Sequence, residues 1–286
     1  MTDPTSFGTL YIVATPMGNL EDITFRAVKI LKQVDLIAAE DTRHSKKLLS
    51  HYDIETRLVS CHEHNEIKKA PHLIAHLKSG LDIALISDAG TPSISDPGYK
   101  LVTAVAKEAI RVIPIPGCSA AIAGLSVSGL PTDSFLFLGF LSKKKQKQRH
   151  AIEAIKDEPP TLIFYESPKR IKSLIANLQT ILGDRTACLA REITKLHEEY
   201  IRGKLSEILQ ALNKKETVKG ECSLFVQGQS EKNTITEEAL KDIIVERLST
   251  TNLGTSGLAR LISNETRLPK KLVYETILKL QSLKKA

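Results

Sequence analysis

The chain has 286 residues, of which 42% are hydrophobic and 26% charged, and its formal net charge is +7. These proportions are those of an ordinary globular protein and exclude a disordered chain. The surplus of positive charge is compatible with a polyanionic partner, because Lys and Arg gain affinity by releasing counterions from phosphates, although many cytoplasmic proteins are mildly basic without such a partner.

The four cysteines, Cys61, Cys118, Cys188 and Cys222, are widely separated and form no C-x-x-C pair. This spacing argues against a disulfide framework and against a zinc cluster. The first residues are polar and show no signal peptide, and the longest apolar runs, such as residues 135–141, are too short to span a bilayer. We therefore expect a cytosolic protein.

Short apolar segments alternate with amphipathic stretches through about the first 130 residues. The predicted strands are residues 10–14, 36–39, 58–60, 83–87 and 112–115. Between the first two strands, apolar side chains from Ile23 to Val34 recur at helical spacing. Alternation of strand and helix predicts right-handed crossovers and a mostly parallel sheet.

A second set of elements follows residue 130. Strands are predicted at residues 135–141, 161–165, 187–191 and 223–226, with helices around residues 148–155 and 170–182. We therefore expect an α/β fold with two α/β domains, residues 1–130 and 131–230.

The chain after the polar stretch 228–236 has a purely helical pattern. Residues 237–286 contain three apolar stripes at helical spacing, which predict a small C-terminal helical module. The module resembles a helix-turn-helix domain that docks on nucleic acid, and a packing appendage is the alternative.

Three loops rich in Gly and Pro follow predicted strands, at residues 14–19, 87–98 and 116–120. Ligands of open α/β sheets bind at the carboxyl ends of the strands, and small residues let the backbone approach them closely. The loops contain no Lys or Arg, and the glycine patterns of triphosphate and dinucleotide sites are absent from them. They suit a ligand without phosphates that has an adenosine to bury, such as S-adenosylmethionine.

Two pairs of residues have the form of a helix start. Asp96-Pro97 and Ser167-Pro168 are typical of an N-cap followed by Pro at the first helical position. We therefore predict that Asp96 and Ser167 cap helices and do not act in catalysis.

Seven motifs, in order between about residues 8 and 227, resemble those of a known family. They are LYIVATPMGNLEDIT (10–24), AEDTR (39–43), HEHNE (62–66), SDAGTPSISDPG (87–98), FYESPKR (164–170), AREITK (190–195) and KGE (219–221). This ordered agreement is similar to that of the RsmI family of ribosomal RNA small subunit methyltransferases. Met17, Cys118 and Lys169 depart from the family's usual residues.

The resemblance implies a tetrapyrrole-methylase type of fold, with S-adenosylmethionine bound in the cleft between the two α/β domains. It also implies 2′-O-ribose methylation of cytidine 1402 in the 16S rRNA of the small ribosomal subunit, and a homodimer. The residues expected to surround the cofactor are Met17, Asp88, Ala89, Gly90, Thr91, Pro92, Ser119, Ala120, Tyr165 and Ala190.

A ribose hydroxyl is weakly acidic, so a positioned base can assist the transfer. Five candidates follow the second and third strands, and for each of them a structural hydrogen bond is the alternative: Glu40, Asp41, His62, His64 and Glu66. No metal is expected, because methyl transfer needs no Lewis acid.

Basic side chains are the candidates for RNA contacts, since phosphates position nucleic acid on a protein. They are Arg43, Lys143, Lys144, Lys145, Lys169, Arg170, Arg191 and Lys195. Two other functions stay open from the sequence. One is methylation of a corrin-like macrocycle, and the other is a nucleic-acid-binding regulator that senses the cofactor without turnover.

Overall fold

A computed structural model describes residues 7–229, 237–251, 253–266 and 268–283 of the protein. Residues 7–229 form one compact unit, and the described residues from 237 onward belong to a second. None of the helices in these ranges is both long and apolar enough to cross a membrane.

The first sheet of the larger unit is entirely parallel, as the alternation of strand and helix predicts. Its strands are β1 (Leu10–Val13), β2 (Leu36–Ala39), β3 (Leu58–Ser60), β4 (Ile83–Ile86) and β5 (Val112–Ile115). They lie in the order β3-β2-β4-β1-β5. The loops after β4, β1 and β5 therefore leave three neighbouring strands at the same edge of the sheet.

Five helices follow the strands of this sheet in the chain, and the first four of them cover it. They are α1 (Phe25–Gln33), α2 (Thr42–His51), α3 (Glu66–Lys78), α4 (Tyr99–Lys107) and α5 (Ala120–Ser128). Leu31 of α1 and Leu49 of α2 are buried in one apolar cluster, whereas Leu73 of α3 and Leu101 of α4 are buried in another. Both faces of the sheet are thus covered, which explains why its strands have no alternating polar residues.

The second sheet is mixed. Its strands are β6 (Phe135–Phe140), β7 (Thr161–Glu166), β8 (Thr186–Arg191), β9 (Glu199–Lys204) and β10 (Cys222–Val226). In the order β6-β7-β10-β8-β9, β6 runs parallel to β7 and the other neighbours are antiparallel. The expected fold of two α/β sheets is confirmed.

Helices cover both faces of the second sheet as well. Helices α6 (Lys145–Glu153), α7 (Ile171–Leu182) and α8 (Leu205–Asn213) contribute to its largest apolar cluster. Helix α5 packs on the opposite face, where Gly124 lies against the ring of buried Phe225. Strand β9 and helix α8 were not predicted from the sequence.

The described part of the C-terminal unit contains three helices, as expected. They are α9 (Glu237–Thr250), α10 (Thr255–Thr266) and α11 (Lys270–Leu283). Leu240, Leu258, Ile262 and Ile277 belong to the small core that this unit has of its own.

Candidate functional site

The main cavity, of about 360 Å³, is lined by the loops at the carboxyl edge of the first sheet and by the second sheet. One wall consists of Met17 after β1, the segment 89–91 after β4, and Ser119 and Ala120 after β5. The facing wall includes Tyr165, Glu166, Ser167, Pro168, Ile193, Glu221, Cys222 and Ser223. The remaining lining residues are Ile94, Ser95, Asp96 and Phe140.

Backbone hydrogen bonds tie the three loops of the first wall together. Thr15 N–H donates to the carbonyl of Gly90, and Gly90 N–H donates to the carbonyl of Thr15, both at 2.9 Å. The hydroxyl of Thr91 donates to the carbonyl of Cys118 at 3.0 Å. Gly90 has a φ of +78°, a conformation that side chains with a Cβ adopt only with strain. The cavity wall is therefore a preformed backbone surface.

Tyr165 connects the second sheet to the first wall. Its hydroxyl accepts the N–H of Ala121 in the first turn of α5 at 2.9 Å. Its ring lies edge-on to Phe137 and Phe140, with centroids 5.0 and 5.7 Å away. Phe140 is 57% exposed, so an aromatic surface stands at the cavity wall.

The charged residues that line the main cavity are three carboxylates, Asp96, Glu166 and Glu221, without any Lys, Arg or His. Burial raises the pKa of Asp96 to about 6, and repulsion by Glu40, Asp88 and Glu221 adds to this effect, whereas a hydrogen bond from Ser87 opposes it. Glu166 is paired with Arg170 at 2.6 Å and Glu221 with Lys195 at 3.1 Å, so Asp96 is the lining carboxylate that has no ion pair within the described ranges. An ionised Asp96 favours a cationic group over an anionic one at its part of the cavity.

The predicted capping role of Asp96 is wrong. Helix α4 begins at Tyr99 and its N-cap is Gly98, with a φ of +129°. The segment before it contains Ser93 and Ser95 at positive φ, so the chain turns several times before the helix starts. Asp96 is consequently directed to the cavity.

The predicted capping role of Ser167 is also wrong. Helix α7 begins at Ile171, after Arg170, and no side chain caps it. The hydroxyl of Ser167 lies 3.2 Å from Glu166 Oε1 and 3.4 Å from Arg170 Nε. It therefore belongs to the polar group around the buried Glu166 carboxylate.

Seven of the ten predicted cofactor residues line the main cavity: Met17, Ala89, Gly90, Thr91, Ser119, Ala120 and Tyr165. The other three do not. Pro92 is buried, Ala190 is fully buried in the core beneath α5, and Asp88 Oδ1 accepts the N–H of Asp41 at 3.2 Å. Sequence reasoning missed Asp96, Glu166 and Glu221, although each lies inside one of the seven motifs.

A second cavity of about 500 Å³, the side cavity, adjoins the main one and shares Ser95 and Asp96 with it. Its other lining residues are Glu40, His62, Glu63, His64, Glu66, Pro97, Gly98, Tyr99 and Lys100. Four of the five predicted catalytic residues are thus brought together here.

Glu40, His62 and His64 are less engaged in hydrogen bonds than Glu66. Glu40 Oε2 accepts the N–H of Asp88 at a long 3.4 Å, and burial raises the pKa of the Glu40 carboxyl. The Nε2 atom of His62 lies 3.1 Å from the Asn65 amide nitrogen, and Nδ1 is buried without a hydrogen-bond partner among the described residues. The ring of His64 is 6.0 Å from that of His62.

Asp41 and Glu66 have structural hydrogen bonds. Asp41 does not line either cavity, and its Oδ1 accepts the N–H of Arg43 at 2.8 Å as the N-cap of α2. This bond is the main reason why the pKa of Asp41 is lowered. Glu66 is 3% exposed, and its Oε1 accepts the N–H of Leu101 at 2.8 Å, which joins α3 to α4.

The predicted RNA-contact residues divide into two groups. Five are exposed and form no ion pair with any residue of the described ranges: Arg43, Lys143, Lys144, Lys145 and Lys169. The other three are paired: Arg170 with Glu166 at 2.6 Å, Arg191 with Glu199 at 2.9 Å, and Lys195 with Glu192 and Glu221 at 3.0 and 3.1 Å. In the same ranges, no His, Cys, Asp and Glu residues group in a way that could hold a metal ion.

Solved structures share this architecture. A diphthine synthase is 16% identical, with a TM-score of 0.62 over 78% of this chain and 90% of its own. The uroporphyrin-III C-methyltransferase of Thermus thermophilus complexed with S-adenosylhomocysteine is 18% identical, with a TM-score of 0.55 over 78% of this chain and 98% of its own. At these identities the likeness shows the fold.

Sequence relatives are much closer. Ribosomal RNA small subunit methyltransferase I of Halalkalibacterium halodurans is 48% identical over 271 residues, covering 93% of each chain. Its counterpart in Bacillus subtilis is 42% identical over 273 residues, covering 94% of this chain and 93% of the relative. The family model of tetrapyrrole (corrin/porphyrin) methylases matches residues 9–209. The chain therefore belongs to the tetrapyrrole methylases and, within them, to the ribosomal RNA small subunit methyltransferase I family.

Proposed function

We propose that this protein transfers a methyl group from S-adenosylmethionine to the 2′-hydroxyl of cytidine 1402 in the 16S rRNA of the small ribosomal subunit. The observation that carries the proposal is a cavity with a backbone wall and a carboxylate, Asp96, without an ion pair in the described ranges, adjoined by a second cavity with titratable side chains, in a chain of this family.

The main cavity fits the cofactor in size and in charge. Its volume of about 360 Å³ is within the usual range for small-molecule sites. The cofactor carries a positive sulfonium and an ammonium group, which suit the carboxylate of Asp96. The backbone wall at Gly90 suits a close approach by its nucleoside. The relative from Thermus thermophilus, whose structure holds S-adenosylhomocysteine, supports the same cofactor.

When bound, the cofactor supplies an electrophilic methyl group on sulfur. The main task of the protein is then to hold the ribose oxygen at near-attack distance and to exclude competing water. We place the ribose in the side cavity, since that cavity meets the main one at Ser95 and Asp96. Tyr99, which is 70% exposed in the lining of the side cavity, offers a ring on which the base can stack.

The hydroxyl must lose its proton during or just after attack. Among the five candidates, we propose that Glu40 or His62 accepts it. Both line the side cavity, burial raises the pKa of Glu40, and the buried Nδ1 of His62 has no hydrogen-bond partner among the described residues. Asp41 and Glu66 instead hold helices in place through their carboxylates. We assign His64, which is exposed in the lining of the side cavity, to contact with the substrate.

The larger organisation follows from the same function. We propose that the chain has three functional domains, residues 1–130, 131–230 and 237–286, and that the last of them helps to bind the ribosomal subunit. The active form is a homodimer in the cytoplasm, where its substrate is assembled. Sedimentation of the purified protein at micromolar concentration tests the dimer, and a single species with the mass of one chain would refute it.

The test of the function is direct transfer of label. The protein is incubated with tritiated S-adenosylmethionine and small subunits that lack the ribose methylation, and the label is located after nuclease digestion. We expect label on one cytidine 2′-oxygen, and none when fully methylated subunits are used as the control. Label on a base, on protein or on a macrocycle would contradict the proposal, and so would cofactor binding without transfer.

A further inference from the structure

The first turns of α2 carry positive charge without compensating acidic residues on that helix. Arg43, Lys46 and Lys47 are exposed, and their spacing of three and four residues places them on one helical face. The helix itself contains no Asp or Glu, and the carboxylate of the N-cap residue Asp41 is bonded to the backbone N–H of Arg43. This face is therefore strongly cationic.

Helix α3 repeats the pattern. Lys68 and Lys69 are exposed in its first turn. The only acidic residue of the helix is Glu66, whose buried side chain is bonded to the N–H of Leu101. The preceding loop adds one exposed carboxylate, that of Glu63.

These positions are unfavourable for the stability of the helices. Arg43 in α2 and Lys68 and Lys69 in α3 lie in first turns, where positive charge opposes the helix dipole. Arg43 is also three and four residues from Lys46 and Lys47, so these like charges repel each other. Arg43, Lys46, Lys47, Lys68 and Lys69 form no ion pair with any residue that the structure describes. An anionic ligand would relieve both effects.

The sheet brings the two helix starts to the side cavity. Strands β2 and β3 are parallel neighbours with Ala39 opposite Ser60, so α2 and α3 start at the same sheet edge on opposite faces. Glu40 precedes α2, His62 precedes α3, and both line the side cavity. Lys100, an exposed residue of α4, lines that cavity as well.

We propose that these six residues form a phosphate-binding rim that holds the RNA backbone beside the nucleotide being methylated. The rim consists of Arg43, Lys46, Lys47, Lys68, Lys69 and Lys100. This inference rests on the proposed function and adds the path of the RNA. In contrast, Arg170, Arg191 and Lys195 are engaged in ion pairs, which a phosphate would have to break.

Charge reversal in matched pairs tests the rim. The rim variants are Lys46→Glu with Lys47→Glu, and Lys68→Glu with Lys69→Glu. The control is Lys29→Glu with Lys32→Glu on α1, two exposed lysines of the same sheet layer that line neither cavity of the site. All three variants change the net charge equally, so a general electrostatic effect would lower the affinity equally in all of them.

The measurement is the affinity for unmethylated small ribosomal subunits over a series of salt concentrations, with cofactor affinity followed by calorimetry. Each phosphate contact contributes about 0.7 to the salt slope on single strands, so each rim pair should reduce the slope by about 1.4. We expect subunit affinity to fall by roughly tenfold or more for each rim pair. Cofactor affinity and the control variant should stay near wild type.

Wild-type affinity and salt slope in both rim variants, or losses equal to that of the control, would overturn the rim. If the wild type transfers label to the ribose while the rim variants bind normally, the rim alone fails. If the wild type transfers no label but the rim variants lose subunit binding, the proposed function fails and the rim stands. If one of the double Lys→Glu variants weakens cofactor binding, the same two lysines are replaced by Gln instead. An unchanged salt slope in that double Lys→Gln variant refutes the rim.

Discussion

Replacement of Asp96 by Asn removes one of the three carboxylates of the main cavity with almost no change of shape. In the free protein this carboxylate is half-buried and its charged neighbours Glu40, Asp88 and Glu221 are all acidic, which is why its pKa rises to about 6. A bound cation reverses this balance, because it stabilises the ionised form. Cofactor affinity should therefore increase as pH rises through about 6, and binding should take the pKa of Asp96 below that value.

The size of the effect follows from these numbers. A hydrogen bond to a charged group contributes about 1.5–3 kcal/mol, which corresponds to a loss of roughly 10- to 150-fold in affinity for Asp96→Asn near neutral pH. One pH unit below its pKa, only about a tenth of the wild-type carboxyl is ionised, so wild-type affinity at pH 5 should be up to about tenfold weaker than at pH 7.5. The variant should lack this dependence.

Calorimetric titration with S-adenosylmethionine between pH 5 and pH 8 measures both quantities. Asp88→Asn is the matched comparison, since the Asp88 carboxylate faces the N–H of Asp41 and does not line the main cavity. Its effect should be less than about a third of that of Asp96→Asn in free energy, because an amide oxygen can still accept the N–H of Asp41 and no carboxylate of the cavity lining is lost. The reasoning is refuted if Asp96→Asn keeps wild-type affinity, or if both variants retain the same pH dependence.

Three further predictions concern the chemistry, the core and the C-terminal unit. Glu40→Gln should lower the single-turnover rate by roughly a hundredfold at constant KM. It should also abolish the rise of the rate with pH through the raised pKa of Glu40, and an unchanged dependence of the rate on pH would assign the role of base to His62. Gly124→Ala should lower the free energy of unfolding of the larger unit by about 1–3 kcal/mol in urea, because the new Cβ would lie 2.6 Å from Cε2 of buried Phe225. A smaller decrease in the free energy of unfolding would mean that the ring of Phe225 moves away without cost. Removal of residues 237–286 should raise KM for small subunits and leave cofactor affinity unchanged, since every residue lining the main cavity precedes residue 237. Loss of cofactor binding would instead mean that the C-terminal unit is needed for the structure of the cofactor site.

The predicted cofactor residues lie together where the small residues of the loops decide the shape of the backbone. Small residues in three loops predicted a close backbone approach, and Gly90, Thr91 and Ala120 do line one cavity. The side-chain roles were harder to predict. Asp96 has the sequence form of an N-cap, but positive φ angles at Ser93 and Ser95 delay the helix and turn the carboxylate to the cavity.

Local sequence determined the elements of this protein. Apolar runs bounded by turn residues predicted all five strands of the first sheet, because strands that are buried on both faces are apolar throughout. Helical periodicity predicted the three C-terminal helices, because a helix that is buried on one face has apolar residues every three or four positions. Edge strand β9 left no such signal, since its residues are only half-buried.

Tertiary structure alone decided which side chains meet. Arg191 and Lys195 look like phosphate ligands in the sequence, yet β9 and the start of β10 bring Glu199 and Glu221 to them. Glu66 looks like a base, yet the packing of α3 on α4 aims it at a backbone N–H. Such pairings join residues 8 to 35 positions apart, and their partners are chosen by strand order and helix packing, which the short-range pattern of a sequence does not contain.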